Sequence, residues 1–162
     1  MKTIIRNATI IDAKSPFHNK TADILIADGC ILKIENKIAN PDNCQEIQLD
    51  NLHVSPGWFD SSVSLGEPGF EDRETIENGL LVAAKSGFTG IALQPNSFPI
   101  IDNQSQVHFV KSKAQAAATE LFPIGALTKE SEGKDMAELF DMQNAGAIAF
   151  GDYNRSLDNS NL

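Results

Sequence analysis

The fold of this chain is decided by residues 56–69, which read Pro56-Gly57-Trp58-Phe59-Asp60-Ser61-Ser62-Val63-Ser64-Leu65-Gly66-Glu67-Pro68-Gly69. This pattern predicts a strand over Gly57–Leu65 that ends in a turn and leads into a polar loop. Side chains alternate between the two faces of a strand, so Asp60, Ser62 and Ser64 are expected on one face. In parallel α/β folds, the carboxyl end of a strand is where catalytic groups usually lie. The search for function therefore starts at this end of the strand.

After His53 the chain alternates between strand and helix patterns. Helices are predicted at Arg73–Ser86, Ser105–Thr119 and Asp135–Asn144, and later strands at Thr89–Leu93, Leu121–Leu127 and Gly146–Phe150. Asp72 is the expected N-cap of the first helix, and Gly87 the residue that ends it. Four such units fit either an open doubly wound sheet or half of an eight-stranded barrel. The first strand is not followed by Gly-x-Gly-x-x-Gly, which disfavours a dinucleotide-binding sheet.

The first fifty or so residues have a different pattern. They form a run of short strand signals, with a hairpin turn at Asp28-Gly29. We expect residues 1–54 to form a separate β unit and residues 55–162 to form the strand–helix region. A chain that stops after the fourth barrel strand leaves two open sheet edges, which favour aggregation. We therefore expect it to be the N-terminal part of a longer protein, or to be completed by another chain.

Composition excludes several classes of partner. The chain has 162 residues and a formal net charge of -9, which argues against nucleic acid, since phosphate binding needs clustered Lys and Arg. No apolar run approaches the ~20 residues that a membrane span needs. Cys30 and Cys44 form no Cys-x-x-Cys pair and are expected to be reduced thiols. The chain is expected to be soluble and cytoplasmic.

Four parts of the sequence resemble dihydroorotase-type cyclic amidohydrolases, in the order in which that family has them. They are the β-rich N-terminal pattern of Ile4 to Gly29, the stretch 56–76, Gly87-Phe88-Thr89 with Gln94-Pro95-Asn96-Ser97, and residues 145–152. The resemblance implies an α/β fold with a small N-terminal β-sandwich unit. That unit is followed by the first four strand–helix units of a (β/α)8 TIM-type barrel.

The same resemblance exposes missing chemistry. Where the family has two zinc-binding histidines on its first barrel strand, this chain has Ser62 and Ser64. Neutral imidazole donates a lone pair to zinc, whereas serine is not among the usual zinc ligands. The family's arginine that binds the substrate carboxylate corresponds to Gly66, which cannot pair with an anion. Metal binding and substrate recognition are both expected to be lost at these positions.

Two other positions keep the family's residue types. Asn96 matches an asparagine that contacts substrate, although an asparagine after Pro95 is as readily a turn residue. Asp152 matches the position of a metal-bridging carboxylate, but an aspartate at a strand end is more often a cap or a loop hydrogen-bond acceptor. Asp60 is expected to hold the loop after the first strand.

No other residue pattern suggests a catalytic site. His18, His53 and His108 are scattered and are not expected to share a metal. A nucleophilic role for Ser62 or Ser64 needs an adjacent base, and the sequence supplies none.

Three functions follow from the resemblance. The first is a catalytically degenerate dihydroorotase-like subunit of pyrimidine biosynthesis that acts structurally or as a regulator. Its partner would be aspartate transcarbamoylase or another copy of itself, and it would hold no cofactor. The second is an active zinc-dependent cyclic amidohydrolase that uses ligands from elsewhere. The third is a non-catalytic module that binds a small cyclic amide or imide near Asn96.

Overall fold

The computed structural model describes residues 1–159 and 162. The chain divides into two compact units, Met1–Pro56 and Gly57–Leu162, and each is described by itself.

The first unit is one mixed sheet. Its strands are β1 (Lys2–Ile10), β2 (Thr21–Ala27), β3 (Cys30–Glu35), β4 (Gln45–Ile47) and β5 (His53–Val54). The order is β3-β2-β1-β4, and β5 also pairs with β1. The pairs β1–β2 and β2–β3 are antiparallel, while β4 and β5 run parallel to β1. The hairpin signals could indicate the antiparallel pairs but not the two short parallel ones.

Strand β1 continues through Asn7 and Ala8. A bulge accommodates them, since the pairing register with β2 shifts between Ile5 and Ala8. Asn7 has a φ of 53°, in the left-handed region that asparagine tolerates better than most residues. Its backbone N–H donates to Asp23 Oδ1 at 3.0 Å. The bulge therefore places the backbone N–H of Asn7 within hydrogen-bond distance of the buried Asp23 carboxylate.

Asp23 is the polar centre of this unit. Its carboxylate accepts hydrogen bonds from Asn7 N, from Ile38 N at 3.0 Å and from Arg6 Nη1 at 2.6 Å. Arg6 also pairs with Glu46, which joins β4 to β1. Burial opposes ionisation of Asp23, but the two N–H groups and the guanidinium outweigh it and hold the pKa of Asp23 below its usual value.

The second unit is a parallel sheet with helices on its outer face. Its strands are β6 (Trp58–Val63), β7 (Phe88–Leu93), β8 (Glu120–Gly125) and β9 (Ala149–Phe150), hydrogen-bonded in that order. The helices are α1 (Ile76–Lys85), α2 (Gln104–Lys113) and α3 (Leu139–Ala145). Their buried side chains form one core with the outward side chains of the sheet, including Leu80, Ile91, Val107, Leu121 and Met142. The expected α/β class and a half-barrel of four parallel strands are confirmed, with three α-helices among the described residues.

Helix α1 begins later than the sequence pattern suggested. Thr75, not Asp72, is its N-cap, and the Thr75 hydroxyl accepts from Asn78 N at 3.2 Å. Glu74 stays outside the helix because its carbonyl accepts from Gly66 N at 3.0 Å. The predicted role of Gly87 is confirmed, since Gly87 follows the C-cap with a φ of 87°.

Helix α2 and strand β8 are also shorter than predicted. The helix stops at Lys113 because the chain must turn back before Thr119, whose buried hydroxyl donates to Phe88 O at 2.7 Å. After the carboxyl end of β8, the backbone N–H of Ala126 donates a hydrogen bond to Ile101 O at 2.7 Å instead of continuing the strand.

Helix α3 does not include Asp135, where it was predicted to start. Residues 135–137 instead pair with the segment after β8, through a bridge between Thr128 and Met136. Gly146 was predicted to begin the last strand, but its φ of 108° makes it the C-cap of α3. The last strand is consequently two residues long.

Within the described part of the chain, every helix falls short of the length and apolarity required to cross a bilayer.

Changing Asp23 to Asn should lower the free energy of unfolding by about 1–3 kcal/mol, since a buried group loses charged hydrogen bonds. The folded pKa of Asp23 lies below its unfolded value, so its contribution is present above the unfolded pKa, about 4. That contribution disappears as the pH falls through the folded pKa. Urea unfolding between pH 3 and 7 measures both effects.

The matched control is Asp42→Asn. Asp42 also pairs with a cation, Lys2 at 2.7 Å, but its side chain is 61% exposed. Exposed ion pairs contribute little. Equal losses in the two variants would contradict the role assigned to Asp23.

Candidate functional site

Ser62 on β6 and Ser64 just after β6 face two amide side chains that follow β7. Gln94 Nε2 donates to Ser62 Oγ at 3.1 Å, and Asn96 Nδ2 donates to Ser64 Oγ at 2.7 Å. Strands β6 and β7 are parallel neighbours, so their carboxyl ends meet at one edge of the sheet. The site consists of neutral hydroxyl and amide groups.

Asp60 does not share a face with Ser62 and Ser64, as strict alternation predicted. The pairing of β6 with β7 shifts register between Asp60 and Val63, where three steps on β6 oppose two on β7. Asp60 accordingly lines a cavity with Val63 and residues of α1, on the helix side of the sheet. Asp60 Oδ1 accepts from Ser62 N at 3.0 Å and so stabilises the irregularity. A bulge of this kind has no clear sequence signal.

Gln94 is a site residue that sequence reasoning missed. The signal was a matching spacing: Ser62 and Ser64 are two residues apart, and so are Gln94 and Asn96 on the adjacent strand end. In a parallel pair with aligned ends, two such spacings place four polar groups opposite each other.

Gly66 is enclosed by the loop that follows it. A Cβ on Gly66 would lie 1.9 Å from Phe70 O and 2.8 Å from Glu74 O. The backbone forms both contacts: Phe70 N donates to Gly66 O at 2.7 Å, and Gly66 N donates to Glu74 O. The loop leaves no room for the arginine that the family resemblance places here.

Glu67 fixes this loop to both neighbouring helices. Its side chain is 9% exposed, and its carboxylate accepts from Ile76 N at 3.0 Å and from Lys113 Nζ at 2.7 Å. The hydrogen bond and the charge of Glu67 raise the pKa of Lys113 above its ordinary value. A carboxylate at the first residue of α1 also interacts favourably with the helix dipole.

Asn96 lies beside a cavity of about 250 Å³. While its Nδ2 is bonded to Ser64, its Oδ1 is buried and has no hydrogen-bond partner in the described part of the chain. A buried acceptor without a partner costs about 1–3 kcal/mol. The Asn96 side chain is therefore held by Ser64, and its unused acceptor is enclosed by the protein.

Asp152 is buried, and its carboxylate is occupied by the loop after β8. Oδ1 accepts from Leu127 N at 2.9 Å and from Thr128 N at 3.0 Å, and Oδ2 accepts from the Thr128 hydroxyl. These partners hold the loop after β8 against the end of β9. The geometry matches a loop hydrogen-bond acceptor.

The residues present do not fit a zinc ion. No group of three or more His, Cys, Asp or Glu able to hold a metal occurs within residues 1–159. His18 and His53 lie in the first unit, and His108 is exposed on α2. The donors nearest the end of β6 are hydroxyls and amides, which are poor partners for zinc.

Gly66→Ala should destabilise the second unit, because the added Cβ meets rigid backbone atoms rather than a movable side chain. Overpacking of this kind costs about 1–3 kcal/mol. Thermal unfolding monitored by circular dichroism measures the loss.

Gly151→Ala is the control, since a Cβ there meets no atom within 4 Å and its φ is not positive. A Gly66→Ala protein as stable as Gly151→Ala would mean that the loop can move away from position 66.

Curated relatives match the whole chain. A dihydroorotase from Ruminiclostridium cellulolyticum is 39% identical over 163 residues, covering 100% of this chain and 38% of the relative. A dihydroorotase from Pelotomaculum thermopropionicum is 38% identical over 164 residues, with the same coverage of 100% and 38%. The chain thus spans well under half the length of these relatives.

Solved structures share the fold. An L-hydantoinase (dihydropyrimidinase) from Arthrobacter aurescens superposes with a TM-score of 0.74 at 23% identity, over 91% of this chain and 32% of that one. A D-hydantoinase (dihydropyrimidinase) from Thermus sp. gives a TM-score of 0.59 at 27% identity, over 78% of this chain and 28% of that one.

A family profile described as dihydro-orotase-like matches residues 52–161. That range includes the serines at positions 62 and 64, the loop over Gly66 and all four strands of the parallel sheet. Since the match extends over more than half of the sequence, the chain belongs to the dihydro-orotase-like family.

Proposed function

We propose that this chain is the N-terminal part of a dihydroorotase-like protein of pyrimidine biosynthesis that has lost metal-dependent hydrolysis and serves as a structural or regulatory subunit. The observation that carries the proposal is the pairing of Ser62 with Gln94 and of Ser64 with Asn96. At the positions where the family resemblance places zinc-binding histidines, the side chains bond to amides instead.

Two further observations support the proposal. The loop after β6 fills the space at Gly66, so no cationic side chain can extend from this position toward a substrate carboxylate. The Asp152 carboxylate, at the position of a metal-bridging group in the family, is bonded to Leu127 and Thr128. Metal binding and recognition of the substrate carboxylate, which the hydrolytic reaction both requires, are therefore opposed by separate physical features.

The fold can outlast this loss because it depends on other residues. The hydrophobic core of the second unit is formed by apolar side chains on the helix side of the sheet. Ser62 and Ser64 are not part of this core. Fold and catalysis occupy different residues, so ligands can be replaced while the folded surface is kept.

The protein purified at full length should contain far less than stoichiometric zinc and should not hydrolyse dihydroorotate above background. Elemental analysis by mass spectrometry and a spectrophotometric assay measure the two quantities. Ser62→His with Ser64→His in the full-length protein should recover zinc only if the rest of the site exists, because the described residues of this chain supply no group of three or more His, Cys, Asp or Glu. Stoichiometric zinc together with turnover in the unmodified protein would overturn the proposal in favour of an active zinc amidohydrolase.

The structural role predicts a stable complex with a partner, either aspartate transcarbamoylase from the same organism or a second copy of this protein. Co-expression followed by size-exclusion chromatography with light scattering should give a single peak whose mass exceeds that of the separate proteins. A monomer that elutes apart from the transcarbamoylase would contradict the structural-subunit role.

A second candidate function is non-catalytic binding of a small cyclic amide or imide. It is favoured by the cavity beside Asn96. An amide side chain can bind a ring N–H without any metal, so this function is compatible with the absence of hydrolysis.

A further inference from the structure

We propose that Lys113 acts as a latch: its ion pair with Glu67 holds the loop after β6 (residues 64–75) and the loop after β7 (residues 94–103) in one closed arrangement. Loss of the Lys113 charge releases both loops together, while the sheet and its helices stay folded. This conformational device goes beyond the proposed function and does not depend on it. It gives a residue of α2 control over the two loops at the candidate site.

The ion pair joins a buried carboxylate of the loop after β6 to a cation on α2. Glu67 Oε1 accepts from Lys113 Nζ at 2.7 Å and Oε2 accepts from Ile76 N at 3.0 Å, so each oxygen has one partner within the described residues. The Glu67 side chain is only 9% exposed, whereas that of Lys113 is 46% exposed. Removing the cation therefore leaves a buried carboxylate oxygen without its charged partner, which is unfavourable in the closed arrangement.

Two further carboxylates lie near the same cation. The hydrogen bond and the charge of Glu67, followed by the charges of Glu71 and Glu77, raise the pKa of Lys113 above its ordinary value. Glu71 belongs to the loop after β6, and Glu77 lies in the first turn of α1. Without the Lys113 ammonium, the repulsion among these three carboxylates is no longer offset, and it favours movement of the loop away from α1.

The two loops are also in direct contact with each other. Phe98 N donates to Pro68 O at 2.9 Å, and Pro68 is the residue after Glu67. A Cβ on Gly69 would lie 2.1 Å from Phe98 O, so the two backbones approach too closely for a side chain to fit between them. The loop after β7 continues into α2, which ends at Lys113. The ion pair and the backbone contact thus close a ring, and a displacement of Glu67 disturbs both loops.

Little apolar burial holds the tips of these loops. Residues 69–73 are all exposed, and Phe98 is 70% exposed. Neither Lys113 nor Glu67 belongs to the hydrophobic core of the second unit. Segments with few buried apolar contacts open locally at a lower free energy than the core does. The loops can therefore be released without unfolding of the sheet.

Release of the loops changes the cavity beside Asn96. Phe70 from the loop after β6 and Phe98 from the loop after β7 both line this cavity. Because the two aromatic side chains come from the two latched loops, the shape and the opening of the cavity depend on the ion pair on the outer side of the sheet. Lys113 is in this sense a positioning residue.

Hydrogen–deuterium exchange of the full-length protein, read by mass spectrometry, tests the latch. The amides of Phe70 and Phe98 are both hydrogen-bonded in the closed arrangement. Lys113→Gln should speed exchange in peptides that contain these amides by about tenfold, as expected for the loss of a charged hydrogen bond. The amides of β7 should exchange as before. Lys113→Arg retains the charge and should retain the protection of both loops.

Lys111→Gln is the matched control, because it removes one positive charge from the same helix. Its ammonium lies toward the end of α3, where Lys111 Nζ would be 2.3 Å from a Cβ on Gly146. Equal exchange in the two glutamine variants would overturn the latch. Faster exchange at Phe70 without faster exchange at Phe98 would overturn the coupling of the loops. Equally faster exchange in β7 would mean a general loss of stability and would also overturn it.

Glu67→Gln, with and without Lys113→Gln, tests whether the ion pair itself is the latch. Once the carboxylate has been replaced, the second substitution should change exchange in the two loops by less than about twofold, because the two side chains act as a pair. An undiminished effect of Lys113→Gln in the Glu67→Gln background would overturn the ion pair as the contact that holds the loops.

Discussion

The Glu67 carboxylate is the interaction on which the second unit's outer layer depends. It receives the backbone N–H of Ile76, the first residue of α1, and the ammonium of Lys113, the last residue of α2. One buried side chain thus joins the exit of β6 to both flanking helices. Such a charge is tolerated only with partners, because an unpaired buried carboxylate costs several kcal/mol. The loop geometry that encloses Gly66 follows from this anchoring.

The sequence predicted the parts of the fold that have periodic or turn signals. Apolar Thr89–Leu93 and the Gly87 terminator indicated β7 and the end of α1 correctly, because burial and left-handed backbone leave local marks. The starts of helices were harder. Thr75 replaced Asp72 as N-cap because the carbonyl of Glu74 bonds to Gly66, and that contact is invisible in the local sequence.

The candidate site likewise combines features that have a local sequence signal with features that depend on distant contacts. The serines at positions 62 and 64 were identifiable from the sequence because a family pattern surrounds them. Their bonds to Gln94 and Asn96 depend on the register between two strands, and the position of Asp60 depends on a bulge. Neither the strand register nor the bulge can be predicted from a few neighbouring residues of the sequence.

The loop closed over Gly66 restricts which residues can occupy position 66. A Cβ at position 66 would lie 1.9 Å from the carbonyl oxygen of Phe70, so an arginine there needs a different loop conformation. That loop is in turn held by Glu67 and by the bond from Gly66 N to Glu74 O. A larger residue at position 66 thus also requires a change in the loop that Glu67 and Glu74 hold. The residue type at position 66 and the conformation of the loop after β6 are therefore coupled, and neither can change without the other.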